Sequence, residues 1–208
     1  TVSIRDLLMK PESLKEIHFS WDYDQPLPEN LPRSLKKIHF GNYYNQPLPD
    51  NLPQNLKEIH FGNWFNQSIE NKIPHTIEKI TFGKDFKQST DFKYYKTLKS
   101  LIFDRNWYRN LQFPKNLPDS LEELRILYPF KQPLPEKLPK SLKILEFHHE
   151  FNQSIKNKLP HGLKYLKFGC RFVHDLPEDL PDSIETIILS NRYNKILPNK
   201  LPKSLKEI

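Results

Sequence analysis

The feature that most constrains this chain is a 21-residue period that runs through nearly all of it. The leucine of Ser34-Leu35-Lys36-Lys37-Ile38-His39-Phe40 recurs as Leu14, Leu35, Leu56, Ile77, Leu98, Leu121, Leu142, Leu163, Ile184 and Leu205. One step departs from the period. Leu98 to Leu121 spans 23 residues, so two are inserted between Tyr108 and Gln112. Self-similarity at a short fixed period means one structural unit repeated, each copy buried only by its neighbours. The chain is therefore read as a solenoid of nine full coils and a partial tenth over residues 11–208, with residues 1–10 as a cap or linker remnant.

Composition matters next, because 19 prolines against 5 glycines would suggest disorder in an unpatterned chain. Here the prolines keep register. Nine sit three residues before the repeating leucine, among them Pro32, Pro53 and Pro74; six more lie four residues earlier, among them Pro28 and Pro49. Proline lacks an amide donor and breaks helix interiors. The 15 or so residues between strands are thus expected to be extended, with at most a single 3₁₀ turn. The segment Lys37-Ile38-His39-Phe40 alternates polar and apolar residues, the period of a half-buried strand. Strands that recur once per coil in the same sense must be parallel. The expected class is all-β: a right-handed solenoid with one parallel sheet and little or no α-helix beyond a short cap within Ser3 to Met9.

Stacked coils turn each apolar position into a column. The strands supply Leu35, Ile38 and Phe40 and their equivalents. A second aromatic column reads Tyr23, Tyr44, Phe65, Phe86, Trp107, Phe130, Phe151, Phe172 and Tyr193. A third runs from Leu27 through Thr90 and Phe113 to Leu197, and a fourth from Leu31 through Tyr94 to Leu201. All are expected to be interior. The glutamines Gln25, Gln46, Gln67, Gln88, Gln132 and Gln153 are read as turn amides that satisfy backbone groups, as are the hydroxyl or amide residues just before the repeating leucine.

The single cysteine, Cys170, precludes an internal disulfide and fits a reducing compartment, so a cytoplasmic location is expected. It is read as an inert, partly buried thiol. No apolar run approaches the roughly 20 residues of a membrane span. The net charge of +7 is moderate with both signs interspersed, which gives no argument for nucleic acid.

The repeat resembles a known family at this point. L-x-x-I-x-F is similar to the strand half of a leucine-rich repeat. Tyr44-Asn45-Gln46-Pro47-Leu48, Phe65-Asn66-Gln67-Ser68-Ile69 and Phe151-Asn152-Gln153-Ser154-Ile155 resemble the F-N-x-P-I/L signature of FNIP repeats, found chiefly in social amoebae and giant viruses of amoebae. The resemblance spans Pro11 to Ile208 and implies a leucine-rich-repeat-like fold and a binding role. Many members of that family carry an F-box upstream, which implies substrate selection for a ubiquitin ligase and, for a viral member, a location in the host cytoplasm. The chain begins at Thr1 without methionine and stops within a repeat at Ile208, so it is read as part of a longer protein. A second resemblance is to bacterial effectors with short leucine-rich repeats. Leucine-rich repeats place an asparagine eight residues after the repeating leucine; here that column holds asparagine only at Asn106, and the asparagine sits two residues later and is often replaced, so no conventional asparagine ladder is expected.

Candidate functional residues lie on the outward, concave side of the strands. One column reads His18, His39, His60, Thr81, Ile102, Arg125, Glu146, Lys167 and Ile188; its neighbour reads Glu16, Lys37, Glu58, Lys79, Ser100, Glu123, Ile144, Tyr165 and Thr186. From these, His18, His39, His60, Arg125, Glu146, Tyr165 and Lys167 are taken as partner-binding. Tyr108 and Arg109, beside the insertion, are taken as a protruding loop. Three histidines on adjacent strands suggest zinc or copper, but parallel side chains are expected not to converge on one ion, so no metal and no cofactor is assigned. His148-His149-Glu150 is read as a loop cluster that binds nothing. A lysine column from Lys15 to Lys206, broken by Glu78, Glu122 and Glu185, is read as a solvated face. No phosphate loop, nucleophile elbow or acid pair stands outside the repeat, so no enzyme is expected. The reading is a protein-binding scaffold with an unidentified protein partner, with the F-box adaptor role implied by the resemblance; a structural element stacking through its ends is the alternative.

Overall fold

Each coil enters its strand through the same turn, and the proline register explains why. The backbone amide of the repeating leucine donates to the carbonyl of the proline three residues earlier. The bonds are Leu35 to Pro32 at 3.1 Å, Leu56 to Pro53 at 3.0 Å, Ile77 to Pro74 at 3.1 Å, and likewise Leu121, Leu142, Leu163, Ile184 and Leu205. Proline stands first in such a turn, which uses its carbonyl and has no need of the amide that proline lacks. The computed structural model describes residues 13–104, 113–114 and 116–208.

Nine short strands follow these turns: β1 (Glu16–His18), β2 (Lys37–His39), β3 (Glu58–His60), β4 (Lys79–Phe82), β5 (Ser100–Phe103), β6 (Glu123–Ile126), β7 (Ile144–Phe147), β8 (Tyr165–Lys167) and β9 (Thr186–Ile188). They pair in chain order, all parallel, into one sheet. A further parallel bridge, Thr186 to Glu207, starts the next coil. The fold is the leucine-rich-repeat-like solenoid expected from the repeat. Among the described residues the one helical element is a 3₁₀ turn, Phe92–Tyr94, capped by the Asp91 carboxylate on the Lys93 amide. A far-ultraviolet circular dichroism spectrum is therefore expected to lack the helical signal of an ordinary globular domain, which is about 30% helix. A helical fraction of that size would overturn the architecture. The proposed cap within Ser3 to Met9 and the insertion at 108–112 lie outside the described residues.

The core is a set of ladders along the solenoid axis. Ile17, Ile38, Ile59, Ile80, Leu101, Leu124, Leu145, Leu166 and Ile187 point inward from the strands, all buried. Rings stack behind them: Phe40 on Tyr44 at 4.0 Å, Phe61 on Phe65 at 3.9 Å, Phe82 on Phe86 at 3.8 Å and Phe168 on Phe172 at 3.9 Å. Within the aromatic column, neighbouring coils set Tyr44, Phe65 and Phe86 6.1 and 6.2 Å apart and nearly coplanar, offset enough to avoid a face-to-face clash. Trp107 of that column lies outside the described residues.

Two interior expectations need correction. Tyr94, placed in the fourth column, is 58% exposed, and Tyr95 is 4% exposed in its stead. The 3₁₀ turn rotates the chain there, and Tyr95 takes the proline position, accepting from the Leu98 amide. Leu197 and Leu201 of the third and fourth columns are exposed on the final coil.

The asparagine expectation also changes. A side-chain ladder exists, displaced two residues along the repeat. Asp24 accepts from the Asn45 amide, Asn45 from the Asn66 amide and Asn66 from the Lys87 amide, each at 2.9 Å. The glutamine of the next coil adds a second clasp: Gln67 Nε2 donates to the Asn45 carbonyl at 3.0 Å and Gln88 Nε2 to the Asn66 carbonyl at 2.9 Å. Asn152 repeats the ladder toward Val173 and His174. The hydroxyls before the repeating leucine act alike, Ser34 donating to the Leu14 carbonyl at 2.8 Å and Ser183 to the Leu163 carbonyl at 2.6 Å. Both polar columns therefore join coils and satisfy backbone groups, which is the structural role read for them.

A candidate partner-binding face on the sheet

Period-two alternation that buries Ile38 and Ile59 puts the residues on either side of them on the opposite face. Parallel in-register pairing then aligns equivalent residues from coil to coil: His18 with His39, His39 with His60, Arg125 with Glu146, and Glu146 with Lys167. The seven partner-binding candidates thus share one face. Two groups of them are far apart along the axis, on β1 to β3 and on β6 to β8.

In the first group, three imidazoles stack in parallel. His18 and His39 have ring centroids 4.2 Å apart and tilted by 7°; His39 and His60 repeat the geometry at 4.2 Å and 8°. One oxygen of Glu16 lies 2.7 Å from His18 Nε2 and 3.2 Å from His39 Nε2. Burial and the neighbouring His18 lower the proton affinity of His39; burial, His39 and Lys79 do the same for His60. Burial opposes ionisation of Glu58, but Lys37, paired with it at 2.8 Å, together with Lys79 and His60 keeps its carboxyl below the usual range. The three imidazoles keep the parallel arrangement expected of strand side chains, but a glutamate two residues before the first histidine reaches across to the next strand.

The second group is one connected network. Ser100 Oγ donates to Glu123 at 2.6 Å, and Arg125 Nε donates to the other Glu123 oxygen at 2.6 Å. Arg125 also bonds Glu146, whose second oxygen takes Lys167 at 2.7 Å. Burial opposes ionisation of Glu123, but Ser100 and Arg125 more than compensate and hold its pKa down. Glu146 was expected to face a partner; it is 7% exposed. Its position on the strand is outward, but Arg125 and Lys167 close over it and use both carboxylate oxygens. It orients those two cations rather than meeting a partner itself. Half-buried Ile144, Tyr165 and Thr186 form the adjoining column.

Other expected features fall where the physics places them. Glu78, Glu122 and Glu185 neutralise the lysine column, through Lys57 at 2.9 Å, Lys143 at 2.6 Å and Lys206 at 2.6 Å among others. His148 is buried with its ring 3.8 Å from that of His149, and Glu150 pairs with Arg171 at 3.4 Å, so this cluster is part of a turn. Cys170 is exposed, not partly buried. Tyr108 and Arg109 lie outside the described residues. One feature was missed: an exposed aromatic ridge at the turn after the strands, with Trp21 66% and Trp64 55% exposed and Tyr43 packed 4.5 Å from Trp64. Its signal was a pair of adjacent large aromatics, Tyr43-Tyr44 and Trp64-Phe65, where the second aromatic column takes one ring per coil.

A family model described as FNIP repeat matches residues 11–43, 23–63, 44–85, 130–171 and 175–208. Among solved structures, CroV588, described as a novel circular LRR protein of the giant virus CroV, is 33% identical with a TM-score of 0.80. The match covers 99% of this chain and 32% of that one, so the chain spans about a third of its length. YopM from Yersinia enterocolitica WA-314 is 20% identical with a TM-score of 0.61, over 98% of this chain and 48% of that one; this is a likeness of fold. No curated protein matches the chain. Repeat folds of this leucine-rich type serve as scaffolds for protein–protein interaction.

Proposed function

Because the chain belongs to the FNIP repeat family, we propose that it is a non-catalytic scaffold that recognises a protein partner through the outward face of its sheet. One observation carries this reading. The inward strand column is Ile or Leu in all nine strands, while the outward column changes from histidine to threonine, isoleucine, arginine, glutamate and lysine. Stability alone asks for no such variety, whereas recognition of one irregular surface does. Arg125, Tyr165 and Lys167 form the strongest patch, since arginine and aromatic anchors dominate interface energies. The Glu146 carboxylate beneath holds the Arg125 guanidinium in place, which lowers the entropy lost on docking.

The finer reading is the substrate-recognition part of an F-box ubiquitin ligase adaptor, with ligase components as additional partners and a cytoplasmic location. Its support is the family's habit of carrying an F-box upstream. The other class of reading is a structural element that assembles by stacking through the solenoid ends.

The test is the paired substitution Arg125→Ser and Tyr165→Ser, which leaves Glu146 bonded to Lys167. Affinity for a partner recovered by pull-down with the repeats is expected to fall by roughly 30-fold or more, as for loss of interface anchors, with the melting temperature preserved. Unchanged affinity would sink the sheet-face reading and favour the ends.

A further inference from the structure

The histidine stack at the start of the sheet carries an inference independent of the partner. We propose that Glu16, His18 and His39 form a binding site for a divalent transition metal ion of the zinc class. Each side chain offers one ligand atom, and the three atoms lie within 4.8 Å of one another. A tetrahedral zinc site with bonds of about 2.0–2.1 Å spaces its ligand atoms roughly 3.3–3.4 Å apart. The Glu16 oxygen is already 2.7 Å from His18 Nε2 and 3.2 Å from His39 Nε2. Turning the two rings out of their parallel stack, with Glu16 and His18 exposed and His39 half-buried, aims both Nε2 atoms at one ion, and the backbone stays fixed by the ladder that pairs Glu16 with Lys37 and His18 with His39.

The convergence comes from combining two spacings. Residues two apart on a strand share a face, which brings Glu16 beside His18. In-register parallel pairing brings His39 beside His18, its ring parallel at 4.2 Å. Both imidazoles then present Nε2 to one carboxylate. His60 continues the stack but meets Glu58 at 3.7 Å, and Glu58 is engaged by Lys37 at 2.8 Å. The same pairing engages the Lys37 ammonium with a carboxylate, which moderates a nearby positive charge that would repel a cation. Two imidazoles and one carboxylate suit zinc and its borderline neighbours. The set lacks the thiolates that select soft ions and the multiple oxygens that calcium and magnesium require. Three protein ligands leave a fourth position for water.

The experiment is isothermal titration of chelator-treated protein with zinc chloride in a non-coordinating buffer, alongside H18A, H39A, E16Q and H60A. The expected result is one zinc per chain with a Kd on the order of 1–10 μM. H18A, H39A and E16Q are each expected to weaken binding at least about tenfold, since loss of even supporting groups around a metal costs 10–100-fold. H60A should stay within about twofold, and magnesium should give no saturable heat. Melting curves of the metal-free variants check that each is folded; the exposed position of His18 makes H18A the safest of them. Binding only at millimolar zinc, unchanged affinity in folded H18A, or loss of the site in H60A would each overturn the assignment.

Discussion

Replacing Phe65 with alanine is expected to lower the free energy of unfolding by about 3–5 kcal/mol. The ring has no exposed surface and sits 3.9 Å from Phe61 within its own coil, between Tyr44 at 6.1 Å and Phe86 at 6.2 Å in the coils either side. Its removal strips contacts from three coils at once. The rings around it are held by the strand ladder, so the cavity cannot close by a simple slide. In a solenoid, where stability is a sum of unit and neighbour terms, one such vacancy weakens two interfaces. His60, five residues earlier, provides the comparison. It faces outward, stacked on His39 and beside Glu58, and its replacement by alanine should stay within about 0.5 kcal/mol. A urea titration of both variants decides. Equal losses would mean that the assignment of inward and outward columns is off by one residue.

Gly62→Ala should be the second most damaging change, costing about 1–3 kcal/mol although it adds a single methyl group. A Cβ on Gly62 would lie 1.9 Å from the Gly41 carbonyl oxygen and 2.7 Å from the Asn42 Cα, both backbone atoms of the preceding coil. Gly62 does not use the left-handed region, so the demand is for space and not for conformational freedom. Backbone cannot rotate aside as a side chain would, and the coils must part. Gly162 is the control: its added Cβ would meet only the Lys140 carbonyl oxygen, at 3.5 Å, an ordinary contact. Gly162→Ala should therefore leave the melting temperature nearly unchanged. If both variants melt alike, close coil approach at Gly41, Gly62 and Gly83 is not what selects glycine there.

The sheet, its parallel sense and its interior columns were legible because each follows from a period. A residue that recurs every 21 positions and is always apolar has one environment available to it, the shared interior. The proline register was legible for a similar reason, since a missing amide excludes helix whatever the surroundings. The failures fall where the period breaks or where the answer lies between coils. Tyr94 and Tyr95 exchanged roles because Asp91 caps a 3₁₀ turn found in no other described coil. The asparagine ladder was discounted because its position, ten residues after the repeating leucine, differs from the usual one. Only the bonds from Asp24 to Asn45 and from Asn45 to Asn66 reveal that it does the same work.

The face of the sheet divides in the same way. Periodicity by itself determined which residues point outward, since alternation along a strand is a local property of extended backbone. What each outward residue does was decided by tertiary structure. Glu146 is covered because Arg125 and Lys167 reach it from the strands on either side, and Glu16 gathers two histidines because its chain is long enough to span to the next strand. The contacts that cross strands join residues 21 or 23 positions apart through rotamers and charge pairing, which no local pattern encodes. Backbone geometry repeats from coil to coil, whereas side-chain partnerships depend on the particular neighbours that the repeat stacks together.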